Sequence, residues 1–164
     1  MISAVDTNIL FDILIPGEPH SESSKRLLDQ HLASGRLILC ETVFAELAAR
    51  FPSEQELKLF LADTGMKLVP SNEKSLWLAG MRWAEYARRS KRNNFSCSEC
   101  GRNFTINCPY CKAAITRRQI VLSDFLIGAH ALVHADCLLS RDLGIYKSNF
   151  QDLKIVSTVQ MKKL

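Results

Sequence analysis

The chain has 164 residues, of which 47% are hydrophobic and 23% charged, with a net charge of +4. That size and balance fit one ordinary soluble globular domain able to bury roughly 70% of its unfolded surface. No membrane span is expected, because the most apolar stretch, Ser123 to Cys137, is broken by Asp124, His130, His134 and Asp136, and a span needs about 20 apolar residues.

The N-terminal "MISAVDTNIL" has no basic run and carries an early Asp, so it does not read as a signal peptide. A cytoplasmic location with reduced cysteines is therefore expected. "MISAV" predicts a strand ending at Asp6, and "NILFDIL" a short helix closed by "PGEP". "HSESSKRLLDQHLASG" reads as a helix ending at Gly35, and "RLILC" as a second strand. "ETVFAELAARF" is a helix that stops before Pro52. "SEQELKLFLADTG" is another, opened by a capping box of Ser53 and Glu56 and closed at Gly65. "MKLVP" is a third strand.

"SNEKSLWLAGMRWAEYARRSKR" forms a long helix. Leu76, Gly80, Trp83 and Ala87 share one face, with Trp77, Met81 and Ala84 beside it, and the tryptophans read as packing residues. After a cysteine-rich segment come a helix, "VLSDFLIGAHALVHA", a strand, "DCLLS", a short helix, "DLGIYKSNF", and a last strand, "LKIVS". Strands alternating with helices predict parallel βαβ units. The expected fold is α/β, a three-layer α/β/α domain on a central parallel sheet. It spans residues 1–164, with a small insert at residues 95–118.

The net charge is unevenly spread. Between Arg82 and Arg118 nine basic residues face only Glu85 and Glu99, giving +7 and leaving −3 for the rest. A basic segment on a mildly acidic body suggests a polyanionic partner; a solvated helix face is the plainer reading.

Sites in such sheets form at the carboxyl ends of strands. Asp6 ends the first strand and Asp142 follows a later one, while Asp124 opens a helix and Glu46 lies one turn into another. Four carboxylates from four segments can meet at one end of the sheet. Together they would need cations, and hard oxygen ligands suit Mg²⁺ or Mn²⁺. Local readings stand beside this one: Asp124 as a helix N-terminal charge, Asp142 as a cap. Asp12, six residues past Asp6, could approach the site but reads first as a solvated helix residue; Glu41 reads as a first-turn charge and Asp136 as a turn residue.

The stretches "VDTN", "FAEL", "SDFLIGAHA" and "LLSRDLGIYK", in that order, resemble the PIN-domain (PilT N-terminus) nucleases, above all the VapC toxins of toxin–antitoxin pairs. The resemblance covers nearly the whole chain outside the cysteine segment. It implies that Asp6, Glu46, Asp124 and Asp142 hold catalytic Mg²⁺ or Mn²⁺. It also implies that Thr7 and Asn8 shape the turn after the first strand, that Ser140 is the small hydroxyl residue before the last Asp, and that Asn8 and Ser140 meet the substrate. The implied activity is hydrolysis of RNA by an endoribonuclease whose ions bind the scissile phosphate and acidify a water. An antitoxin partner and a homodimer are implied as well. A housekeeping nuclease for ribosomal or transfer RNA is the alternative role, and a non-catalytic RNA- or protein-binding module the alternative class.

Cys97, Cys100, Cys108 and Cys111 form two C-x2-C pairs separated by seven residues. Four thiolates complete a tetrahedral Zn²⁺ shell, with iron as the rival metal. The seven-residue gap, "RNFTIN" within it, implies a small hairpin clip. The ordinary PIN pattern lacks this insert. The expected role of the clip is to present Arg88, Arg89, Lys91, Arg92, Arg102, Arg117 and Arg118 to RNA; the bland alternative is a structural staple. Phe95 and Phe104 read as support for the clip, Cys40 and Cys137 as buried apolar residues, and His130 and His134 as core or surface histidines.

Overall fold

The computed structural model describes residues 1–89, 95–96, 103–113 and 122–158. The elements run β1 (Ile2–Val5), α1 (Thr7–Leu14), α2 (Ser21–Ala33), β2 (Arg36–Leu39), α3 (Glu41–Ala48), α4 (Glu54–Asp63) and β3 (Met66–Leu68). They continue with α5 (Glu73–Arg89), β4 (Phe95–Ser96), β5 (Asn103–Phe104), α6 (Leu122–His134), β6 (Cys137–Leu139), α7 (Leu143–Asn149) and β7 (Ile155–Val156).

Five short strands form an all-parallel sheet in the order β3-β2-β1-β6-β7. Strands buried on both faces need continuous apolar runs. Ala4 and Val5 of β1, Leu37 to Leu39 of β2 and Cys137 to Leu139 of β6 supply them, each at most 5% exposed. From β1 the chain adds β2 and β3 on one side, then crosses back to place β6 and β7 on the other. Crossovers of this kind are right-handed, so the reversal puts α5 and α6 on the face opposite α1 to α4. It also makes the gap between β1 and β6 the switch point, the place where open parallel sheets build their sites.

Two local features confirm the sequence reading of α4. The Glu56 amide donates to the Ser53 hydroxyl (3.3 Å), and Gly65 takes a left-handed backbone (φ +66°) that lets the chain turn into β3. In α6, Gly128 is required for close approach: a β-carbon there would stand 2.8 Å from the Phe150 ring.

The long helix α5 departs from expectation. It packs on α6 through Ser75 and Ala79, with Leu78, Arg82 and Tyr86 partly buried along the same side. Leu76 (45% exposed), Trp77 (74%), Met81 and Trp83 face solvent instead. Small residues win the buried side because they allow two helices to approach closely. The insert also differs. A hairpin was expected within "RNFTIN", but β4 pairs antiparallel with β5 (Phe95 opposite Phe104), so the two strands bracket the first cysteine pair. Among the described residues no helix is long and apolar enough to cross a membrane.

Candidate active site

The site grows out of the β1–β6 ladder. Val5 lies opposite Leu139, and the Asp6 amide donates to the Leu139 carbonyl (3.0 Å), so the next residues, Asp6 and Ser140, leave the sheet side by side. Asp6 stands at the N-cap position of α1, yet its side chain makes no capping bond. It turns instead to the switch point, where Asn8 Nδ2 and Ser140 Oγ each donate to its Oδ2 (both 2.6 Å). Asn8 Nδ2 also donates to Ser140 Oγ (3.1 Å), and the Asp142 amide donates to the same hydroxyl (3.0 Å). Ser140 is fully buried. Its hydroxyl is thus the junction between the β1 turn and the β6 turn.

The other three carboxylates approach from separate elements. Glu46 projects from α3 and accepts from the Thr7 hydroxyl. Asp142 is the N-cap of α7; its Oδ1 accepts from the Gly144 and Ile145 amides (3.0 and 3.2 Å), so the local capping role is real. Asp124 lies in the first turn of α6. Asp6 is buried, Glu46 and Asp124 are half-buried and Asp142 is exposed, which grades the cluster from floor to rim.

Electrostatics ties the four together. Burial raises the Asp124 carboxyl most, and the charges of Asp6, Asp142 and Glu46 raise it further, to about 6. Asp6 is also raised, chiefly by burial, although bonds from Ser140, Thr7 and Tyr146 oppose the shift. Among the described residues, no group of three or more His, Cys, Asp or Glu side chains is gathered tightly enough to hold a metal as placed. Asp6, Glu46 and Asp142 each accept from protein donors. The donor set nevertheless fits a hard divalent cation: carboxylate and hydroxyl oxygens, with no soft ligand among them.

The PIN domain profile matches residues 4–150. The chain belongs to the PIN domain family. PIN domains are typically nucleases, so membership supports a hydrolase at the level of the family. Solved structures agree on the fold. VapBC2 from Rickettsia felis, bound to a DNA fragment from its promoter, is similar at 16% identity with a TM-score of 0.60, over 96% of this chain and 98% of that one. VapBC-1 from nontypeable Haemophilus influenzae is similar at 18% identity with a TM-score of 0.59, over 97% and 99%. A toxin–antitoxin complex from Klebsiella pneumoniae is similar at 16% identity with a TM-score of 0.57, over 95% and 97%. Comparison with curated protein sequences finds no match.

Around this PIN domain site, Asp12 was underweighted in the sequence and Arg141 and Tyr146 were missed. Asp12, expected to be solvated, is 1% exposed; its Oδ1 accepts from Arg141 Nη2 and its Oδ2 from Ser24 Oγ (2.6 and 2.5 Å). Arg141, whose amide also donates to Asn8 Oδ1 (3.1 Å), thereby pins the β6–α7 turn to α1. Tyr146 is fully buried on α7, one turn past Asp142. The available signal for Asp12 was a lone acid inside the apolar run "NILFDILI"; for Tyr146 it was the i+4 spacing from Asp142.

The basic residues are only partly in view. Arg88 is exposed at the end of α5. Arg89 donates to Asn149 Oδ1 (3.1 Å), and Arg82 donates to the Asn149 carbonyl and to Asp152 (2.7 and 2.8 Å). Lys91, Arg92, Arg102, Arg117 and Arg118 lie outside the described residues, as do Cys97 and Cys100. The second cysteine pair is described. Lys112 follows Cys111 with a left-handed backbone (φ +60°) and donates its amide to the Cys108 carbonyl (2.9 Å). The Cys111 and Tyr110 amides aim at the Cys108 sulfur and hold its thiol below the usual range. His130 is a core histidine stacked on His134, with Nε2 2.8 Å from the Val69 carbonyl; Cys40 and Cys137 are buried.

Proposed function

We propose that the chain is a divalent-cation-dependent endoribonuclease in which Asp6, Glu46, Asp124 and Asp142 hold Mg²⁺ or Mn²⁺. The observation that carries this reading is the shared field at Asp124, raised toward 6 by burial and by the other three acids. Carboxylates that feel one another's charge in this way are neutralised by a divalent cation bound between them. Bound there, the ion supplies Lewis-acid activation of water and neutralisation of phosphodiester charge. The chain's own part is to hold the ligands. Asn8 and Ser140 orient Asp6, Thr7 orients Glu46, and the Asp12–Arg141 pair fixes the turn that carries Asp142. Asn8 and Ser140 were expected at the substrate; their bonds support a positioning role beside it. The test is RNA cleavage with Mn²⁺. Asp6→Asn is expected to cut the rate more than about 100-fold, beyond the usual effect of losing an outer partner. Equal cleavage by both proteins would overturn the reading.

The cysteine segment belongs to the same proposal. Cys97, Cys100, Cys108 and Cys111 hold one structural Zn²⁺, supported by the spacing of the two pairs and by the tight turn and lowered thiol at Cys108. The metal supplies the folding free energy that so short an insert lacks. The clip brings Arg88, Arg89, Arg92, Arg117 and Arg118 to RNA as a grip on the phosphate backbone. Charge reversal at Arg117 and Arg118 is expected to weaken RNA binding and flatten its salt dependence; unchanged binding removes the grip from the account. The role is that of a toxin held by an antitoxin, supported by the likeness to toxin–antitoxin structures. The apolar outer face of α5 is a surface available for an antitoxin or a second copy.

A further inference from the structure

A cavity of about 420 Å³ lies between the C-terminal half of α5 and the end of α7, lined by Arg82, Glu85, Arg89, Ser148, Asn149 and Asp152. None of the four acids of the candidate site lines it. Arg82 is a fixed wall. Its guanidinium lies over the Phe150 ring, 4.6 Å from the centroid, and its Nη1 and Nη2 donate to the Asn149 carbonyl and to Asp152 Oδ2 (2.7 and 2.8 Å). Arg89 is held at Nη2 alone, by Asn149 Oδ1 (3.1 Å). Asn149 is in turn buried and donates to the Ile145 carbonyl (2.8 Å), so it is a firm anchor. Arg89 makes no other hydrogen bond among the described residues, and Glu85 stands off from its Nε at 3.9 Å. One arginine fork and one carboxylate are therefore free to take a ligand.

Two arginines and two carboxylates leave the cavity nearly neutral. A phosphate entering it would meet two cations and two like charges, and the Coulomb gains would largely cancel. A neutral ligand with acceptors on one edge and donors on the next suits the lining better. Guanine has that pattern. Its O6 and N7 are adjacent acceptors that fit an arginine fork, and its N1–H and N2 amino group are adjacent donors that fit a carboxylate. Adenine carries a donor where guanine has O6, and pyrimidines have no N7. Unpaired RNA bases are also read by stacking on arginine planes, which Arg82 offers. Asp142 caps the start of α7 and Asn149 ends it, about 10 Å away along the axis. Gly144, Lys147 and Ser148 are exposed between them, so one strand can reach both places.

We propose that this cavity binds an unpaired guanine base of RNA, a few nucleotides from the phosphate at the acidic site, with Arg89 reading O6 and N7 and Glu85 reading N1–H and the N2 amino group. The inference rests on the RNA substrate proposed above and names one base that the substrate carries.

The experiment uses the full chain in chelator, so that binding is read without the cation site. Dissociation constants are measured by fluorescence anisotropy for a labelled strand of uridines and for the same strand with one central guanine, adenine or 7-deazaguanine. The guanine strand is expected to bind about tenfold tighter than the uridine strand, and the adenine and 7-deazaguanine strands to lose that gain. Arg89→Lys keeps the charge and loses the fork, and should bring the guanine-to-uridine ratio close to one. Glu85→Ala should lower the same ratio while its affinity for the uridine strand stays at or above native. A guanine strand bound no tighter than the uridine strand overturns the proposal. So does an adenine strand bound as well as the guanine strand, or a guanine preference that survives both substitutions, since another part of the chain would then read the base. If no strand binds at all, as when the cavity serves a protein partner, the RNA substrate falls and the guanine site with it. Binding without guanine preference removes the guanine site alone.

Discussion

The carboxyl edge of the sheet hides charge, whereas the outer face of α5 shows apolar surface to water. Asp12 is 1% exposed and Asp6 is 5%, while Trp77 is 74% exposed. Both regions invert the usual rule, and in both the inversion is the informative observation. They differ in what the fold does about it. At the sheet edge the chain supplies partners: Arg141 and Ser24 for Asp12, Asn8 and Ser140 for Asp6. A buried charge without them would cost several kcal/mol. On α5 the described residues supply nothing, because an exposed apolar side chain only forgoes its burial. Stability is therefore tied to the first region and nearly indifferent to the second.

Substitutions test this contrast. Asp12→Ala strands Arg141 and is expected to cost about 3 kcal/mol, the low end for a broken buried pair because Arg141 keeps some water contact. Urea unfolding measures it, and a loss below about 1 kcal/mol breaks the contrast. Asp124→Asn sharpens it through pH. The folded carboxyl titrates near 6 against an ordinary 3.8, so its protonation favours the fold below about pH 4, and that support is lost as pH rises through 6. In chelator at pH 7.5 the variant should be more stable than native by about 1–2 kcal/mol, after discounting for partial exposure. The gap should close as pH falls toward 4; a gap independent of pH contradicts the shared field. Trp77→Ala is the smallest effect, expected within about 0.5 kcal/mol of native stability. A loss above 2 kcal/mol would show that α5 buries this face after all.

The sheet was legible because its strands are short apolar runs closed by recognisable caps, such as Ser53 before α4. Asp6 and Asp142 were legible because strand ends are where such sheets build sites. The face of α5 was not, because the helix carries two apolar stripes. Periodicity alone does not say that Ser75 and Ala79 pack while Leu76 and Trp77 do not. Asp12 was hidden by the ordinary preference of helical aspartates for water, which only its distant partner Arg141 overrides. Tyr146 sits in a stretch that reads as a plain amphipathic helix, where its i+4 spacing from Asp142 is a weak signal. The cysteine spacing was plain, and the turn at Cys108 to Lys112 agrees with it; Cys97 and Cys100 lie outside the described residues.

The most direct measurement is anomalous scattering from crystals grown with Mn²⁺. The account predicts a manganese peak bounded by carboxylate oxygens of Asp6, Glu46, Asp124 and Asp142. No peak there at saturating Mn²⁺, or a peak held by other residues alone, contradicts it.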